Sequence, residues 1–377
     1  MGKQRERNAI PSSDRFPHAN SNDDSSKQRY AIRLAFDGTT YNGFQSQPDK
    51  NTIQDQIENR LQSLLRRPVR IVAWGRTDTG VHAKGAVVTV DLSLDEVYRF
   101  ANQSGRNTVS SSISCKEEGD ESVKKQTAVH ATAKFLHSVL IQFACNHPLP
   151  QSRTPASQSR YGSISALAVK PVPFDFDARY SCLWKRYVYY VCATSASNEI
   201  NGYTDDDQTL SPFVWNRYAW IIRQSLDLDK MMKAAELLNS IEHNYEWVVV
   251  MQDGELRDTL RKVKLCVEQV NTSCGSGGSD APYFLQRSGN TIVYKISVES
   301  DFFLYKMVRR IVGILVAIGK SDVSLDELRV CLEEHDKRYH DEDSTTNQKK
   351  IKVPTKLLQT APAKGLCLDH IEYEIPI

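Results

Sequence analysis

Trp74-Gly75-Arg76-Thr77-Asp78-Thr79-Gly80-Val81-His82-Ala83 is the stretch on which the reading of this chain turns. A short apolar run, 69–73, precedes it, and a second, 86–90, follows Gly85. Both read as strands. An aspartate therefore sits in a tight connection between two strands, bracketed by Gly75 and Gly80. Glycine tolerates positive φ and close backbone approach, as a turn that projects one side chain into a cleft requires. Arg76 lies two residues before Asp78, and a guanidinium beside a carboxylate keeps it ionised and oriented. Turn chemistry leaves two readings of Asp78: a cap that merely closes the turn, or a reactive carboxylate.

Upstream, Tyr30 to Phe36 alternates Ile32, Leu34 and Phe36 against Arg33, the pattern of a half-buried strand. Asn51-Thr52 then precedes Ile53, Ile57, Leu61 and Leu64, a capped amphipathic helix that Arg66 and Arg67 close and Pro68 stops. Strand, helix, strand, strand is the opening of a split β-α-β unit. Downstream, the spacing predicts helices over 133–144, 229–241, 302–318 and 325–332. Strands are expected over 163–170, 186–193, 263–270 and 291–298, with a Gly/Ser loop at 272–279. The expected fold is α+β: two ferredoxin-like (split β-α-β) halves, 29–182 and 183–377, sharing a mainly antiparallel sheet around a central cleft. Residues 1–28 are polar and read as a disordered tail, without the apolar segment of a secretory signal. The polar stretches 103–128, 151–160 and 335–350 read as inserts that lengthen loops.

At 377 residues, 40% hydrophobic and 25% charged, the chain has the profile of a soluble globular protein with room for one large or two ordinary domains. No apolar run approaches the ~18 residues of a membrane span. A net charge of +2 is too small for a general nucleic-acid coat, so any contact with RNA must come from local patches. Such patches are Arg66-Arg67-Arg70, Trp184-Lys185-Arg186, Arg257-Arg261-Lys262-Lys264 and Lys349-Lys350-Lys352. Each alone reads as a solvated face; together they read as phosphate tracks. The 8 cysteines form no C-x-x-C pair, so neither zinc nor a redox motif is indicated, and a reducing compartment is the simpler assumption.

G-R-T-D-x-G-V-H-A, intact here as Gly75 to Ala83, resembles the signature of the TruA-type tRNA pseudouridine synthases. Further blocks resemble that family in the same order: 35–47 with 53–54, 176–181 with 185–189, Met307 to Gly313, and 361–366. The resemblance spans roughly residues 30 to 375. It implies isomerisation of uridine to pseudouridine in tRNA, in the anticodon stem-loop at positions 38–40. Asp78 is the implied catalytic carboxylate, acting on C1′ or on the 2′ proton. Arg309 is the implied ion-pair partner; by its spacing alone it also reads as an arginine snorkelling from a helix edge. Tyr187 is the implied base-stacking residue, with its hydroxyl near C5; by its strand position it also reads as cross-strand packing with Tyr189. Arg76, His82 and Gln45 are the implied substrate contacts, with Gln47 beside them and His82 otherwise shaping the loop. The reaction needs no cofactor and no metal. The resemblance further implies a homodimer, no membrane partner, and action in the cytoplasm, with nucleus and organelles open. The chain departs from the family pattern at Asn244-Tyr245-Glu246-Trp247 and in its three inserts.

Two rival readings exist. Asp78-Thr79-Gly80 is the D-T-G triplet of aspartic proteases, but that chemistry needs two carboxylates sharing a proton, and no second triplet occurs. The other rival is a non-catalytic RNA-binding module on the same fold. Retention of Asp78, Arg76, Tyr187 and Arg309 speaks against it.

Overall fold

The first strand, β1 (Lys27–Phe36), turns Tyr30, Ile32, Leu34 and Phe36 inward, and all four are buried. The structure is a computed structural model and describes residues 26–48, 50–107, 121–141, 163–194, 216–239, 241–248, 259–270, 291–340 and 353–377. Helix α1 (Ile53–Leu65) follows β1. Thr52 caps it by accepting from the Asp55 amide, and Arg66 ends it in the left-handed region. Ile53, Ile57 and Leu61 are fully buried on its inner face. The chain continues through β2 (Val72–Ala73), β3 (His82–Ser93), α2 (Leu94–Asn107), α3 (Glu121–Leu140) and β4 (Ile164–Val172).

The second part begins with β5 (Cys182–Thr194), β6 (Trp220–Ile222) and α4 (Leu228–Asn239). A two-residue pairing of β7 (His243–Asn244) with β8 (Leu260–Arg261) precedes β9 (Lys264–Val270) and β10 (Thr291–Ser300). Helices α5 (Met307–Gly319) and α6 (Leu325–His340) and strand β11 (Leu366–Tyr373) complete it.

The fold is α+β, built on a mainly antiparallel sheet in the order β4-β1-β3-β11-β5-β10-β9. In addition, β2 pairs antiparallel with β3 and β6 pairs parallel with β5. The order β4-β1-β3 with β2 beside β3 is repeated as β11-β5-β10 with β9 beside β10. The two sets meet where β11 runs parallel to β3, through Cys367↔His82 and Leu368↔Ala83. One apolar cluster lies under α1 to α3, with Tyr30, Ile57, Phe100 and Leu136 among its members. A second surrounds α5 and takes in Tyr189, Met231, Ile311, Leu315 and Leu328. No helix among the described residues is long and apolar enough to cross a membrane.

Several expectations need correcting. Lys27 and Gln28 belong to β1 rather than to a tail; residues 1–25 of that tail lie outside the described residues. The stretch 103–128 is not a plain loop: 103–107 end α2 and 121–128 begin α3, while 108–120 lie outside the description. The early turns of α3 are largely exposed, which is why their sequence is polar. Residues 335–340 continue α6 rather than begin an insert, and His335 is buried. The inserts at 151–160 and 341–350 and the loop at 272–279 fall outside the described residues. The helix expected from 302 starts at Met307, because Lys306 takes a left-handed φ of 57° and turns the chain before it. The described cysteines, Cys182, Cys192, Cys266, Cys331 and Cys367, are free thiols.

Candidate active site

The connection from β2 to β3 is held from several sides. The Trp74 amide donates to Val87 O at 3.1 Å, and the Phe44 amide donates to Thr77 O at 3.1 Å. The buried Trp74 ring meets the Phe44 ring edge-on, with centroids 4.7 Å apart. Lys185 Nζ donates to Trp74 O at 3.1 Å. Gly43 packs against this loop with a φ of 86°, and a Cβ there would lie 2.9 Å from Thr77 O. Only glycine meets both demands at that point. The loop is therefore a rigid mount, closed on its far side by the Val81 amide donating to Asp78 O at 3.2 Å.

Asp78 projects from the mount towards α5. Its Oδ2 accepts from Arg309 Nη1 at 2.7 Å. Arg309 is itself fixed, because its Nε donates to Ala361 O at 2.7 Å and the Ala361 amide donates back to Arg309 O at 3.0 Å. Side-chain exposures of 27% for Asp78 and 15% for Arg309 leave the carboxylate reachable while shielding the pair from full solvent screening.

Around this pair lies a cleft of about 640 Å³. Tyr187 lines it from β5 and stands edge-on to Phe303, with ring centroids 5.2 Å apart. Burial pushes the Tyr187 hydroxyl above the usual tyrosine range, and the nearby charge of Asp78 adds to the shift. Gln45 is half-buried and lines the cleft; Arg76 is exposed on the same lining and makes no ion pair among the described residues. Five cations, Arg76, Arg179, Lys185, Lys306 and Arg309, face two carboxylates, Asp78 and Asp177. The lining thus carries more net positive charge than the +2 of the whole chain, so the charge is concentrated where a polyanion would enter.

His82 is not brought to the cleft. It is buried, with Nε2 3.2 Å from the carbonyls of Arg217 and Lys364. Its Nδ1 lies 3.2 Å from both the Gly38 amide and Asp37 Oδ1. Nδ1 accepts from Gly38 when it carries no hydrogen and donates to Asp37 when it does. This geometry supports the loop-shaping half of the sequence reading. Gln47 bonds Asn42 O and Lys50 and does not line the cleft. Of the basic clusters, Arg67 pairs with Glu96 and Arg70 with Glu58, while Arg186 pairs with Asp369 and Glu299. Lys185 alone of its triplet turns into the cleft. Burial pushes its ammonium below the usual lysine range. The period-2 spacing from Tyr187 was the signal for it. Tyr180, Phe302 and Tyr305 also line the cleft, and no hydrophobic period points to them.

A carboxylate held by a guanidinium, with a half-buried phenol beside it, thus lies in a cleft whose lining carries net positive charge. A family model described as tRNA pseudouridine synthase matches residues 259–374. The tRNA pseudouridine synthase A of Listeria innocua is 27% identical over 347 residues, covering 92% of this chain and 99% of the relative. That of Paraburkholderia phytofirmans is 29% identical over 292 residues, covering 78% and 76%. That of Halalkalibacterium halodurans is 26% identical over 304 residues, covering 80% and 82%. The chain is thus similar to tRNA pseudouridine synthases along most of its length, and to the family model over its C-terminal third.

Proposed function

We propose that this protein isomerises uridine to pseudouridine in tRNA, with Asp78 as the catalytic carboxylate. The observation that carries the reading is the 2.7 Å pair of Asp78 with Arg309 inside the basic cleft. The reaction breaks the N1–C1′ bond, turns the uracil and forms C5–C1′. N1 gains a proton and C5 loses one, so atoms and electrons balance without an external reagent. Asp78 starts it, by adding to C1′ or by removing the 2′ proton. Arg309 holds the carboxylate on its mount through a charge-assisted hydrogen bond. Tyr187, kept protonated by burial, stacks on the swung-out uracil with its hydroxyl towards C5. Gln45 and Arg76 contact the substrate from the cleft wall, and His82 holds the loop from behind.

The repeated strand order supports two ferredoxin-like halves, joined at β3 and β11, with the cleft between them. The family resemblance carries with it target uridines in the anticodon stem-loop, a homodimeric assembly and a cytoplasmic site of action. Light scattering tests the dimer, and pseudouridine mapping in tRNA from cells lacking the protein tests the targets.

Asp78→Ala tests the chemistry. Pseudouridine formation in a tRNA transcript is expected to fall by at least about 10²–10⁴-fold, with tRNA affinity nearly unchanged. Activity that survives the substitution removes Asp78 from its assigned role; lost binding with lost activity favours a non-catalytic RNA-binding module instead.

A further inference from the structure

The described residues include five exposed aromatic side chains, Tyr98, Tyr180, Phe302, Tyr305 and Tyr339. Three of these five, Tyr180, Phe302 and Tyr305, line the one cleft that holds Asp78. Each of the three carries a cation over its ring. Arg179 stands 5.4 Å from the centroid of Tyr180, Arg261 5.1 Å from Phe302 and Lys306 4.8 Å from Tyr305. Single exposed apolar side chains are ordinary on a protein surface, but three in one cleft, each half exposed and each paired with a cation, are a pattern.

The backbone presents these rings deliberately. Asp177 Oδ1 accepts from the amides of Arg179 and Tyr180, at 2.7 and 3.0 Å, which holds that pair at the turn after β4. Asp301 Oδ1 accepts from the Phe302 amide at 2.7 Å. The left-handed Lys306 keeps 302–306 out of α5, so Phe302 and Tyr305 face the cleft and not the core. With a cation over one face, each half-exposed ring has its other face to offer a base and the cation to offer the adjoining phosphate. Base pairs in a duplex hide their faces, so a platform of this kind takes unpaired nucleotides.

We infer that Tyr180, Phe302 and Tyr305 form a stacking platform for unpaired nucleotides flanking the target uridine. The enzyme then selects a segment of RNA that is single-stranded or opened on binding, and it reads that state through base faces rather than base edges. This inference rests on the function proposed above and adds a substrate class to it.

The test uses the full-length chain carrying Asp78→Asn, so that chemistry plays no part, with a labelled single-stranded oligouridylate and a blunt RNA duplex of equal length. Tyr180→Ala, Phe302→Ala and Tyr305→Ala are each expected to weaken oligouridylate binding roughly 5- to 100-fold, the worth of one stacked base. Duplex binding should change little. Tyr180→Phe, Phe302→Tyr and Tyr305→Phe keep a ring and should restore the affinity. Replacing single bases of the oligouridylate by abasic ribose should weaken wild-type binding but not the matching alanine variant. Equal losses for duplex and single strand, or no loss in any ring variant, overturn the platform. Thermal unfolding of each variant separates lost stacking from lost folding. Unaltered oligouridylate binding by the ring variants, with pseudouridine formation intact in the Asp78 chain, sinks the platform alone. Failure of Asp78 to control the reaction sinks the function and leaves this binding result standing.

Discussion

Arg309 does two jobs with one side chain. Its Nη1 reaches Asp78 and its Nε reaches Ala361 O, each at 2.7 Å. Lysine is a point charge on a flexible stem and cannot hold both at once. Arg309→Lys should therefore keep the positive charge yet loosen the carboxylate. A hydrogen bond to a charged group contributes about 1.5–3 kcal/mol, so the single-turnover rate should fall roughly 10- to 100-fold. The tRNA affinity should change far less, because one of five cleft cations is merely displaced. Arg309→Met removes the counter-charge altogether and should be worse than lysine. A lysine variant with the wild-type rate would mean that the guanidinium geometry is not part of the chemistry. The same residue marks where sequence reading reached its limit. Spacing on an apolar helix left Arg309 open between a snorkelling edge and an ion pair. The choice depends on a carboxylate 231 positions away, which no local pattern contains.

The helix that carries Arg309 is positioned by packing. Ile311, Val312, Ile314, Leu315, Val316 and Ile318 are fully buried, each worth on the order of 1.5–3 kcal/mol over exposure. Gly313 is the exception in this apolar run, and its reason is steric. A Cβ there would run into Gln359 O, on the segment that leads to Ala361. Alanine gains about 1 kcal/mol over glycine in helix propensity, so Gly313→Ala would stabilise an isolated helix. Here the backbone clash outweighs that gain. Overpacking of this kind costs about 1–3 kcal/mol or more, and the net sign should be destabilising. Differential scanning calorimetry should show a lower Tm, with a lower rate as well, since Ala361 O orients Arg309. A raised Tm would show that the 359–361 segment yields freely. Element boundaries tell the same story of packing over pattern. Helix α1 was legible because cap, apolar stripe and Pro68 all agree. The start of α5 was not, because 302–306 is as apolar as the helix it precedes while serving the cleft wall. The early turns of α3 are solvent-facing, and a helix without an apolar face leaves no period to read.

At the scale of the whole molecule, the two strand sets share a thin backbone seam, two residue pairs between β11 and β3. Side chains must hold the rest of it. Asp78–Arg309 is one such tie, Lys185 on Trp74 O is another, and Asp37 is a third. From the end of β1, Asp37 Oδ2 takes Arg217 Nη2 at 2.7 Å and accepts from Tyr218 Oη at 2.7 Å, both on the segment before β6. Burial alone would raise the Asp37 carboxyl, but hydrogen bonds from His82, Thr39 and Tyr218 outweigh it and hold the group well below the usual carboxylate range. A carboxylate depressed in the folded state adds stability above its unfolded value, near 4, and that stability is lost as pH falls towards the folded value. Asp37→Asn should then lower unfolding stability at pH 7 by about 1–3 kcal/mol. The gap between variant and wild type should stay level down to about pH 5 and narrow progressively below pH 4, as the unfolded wild-type chain takes up a proton that the folded chain still refuses. Urea unfolding at a series of pH values measures it. Because His82 and the Asp78 loop lie directly behind this tie, the variant should also slow pseudouridine formation at neutral pH. A gap that holds constant into strong acid would show that the seam draws nothing from the charge of Asp37, and would leave it to the other side-chain ties, the ion pair in the cleft among them.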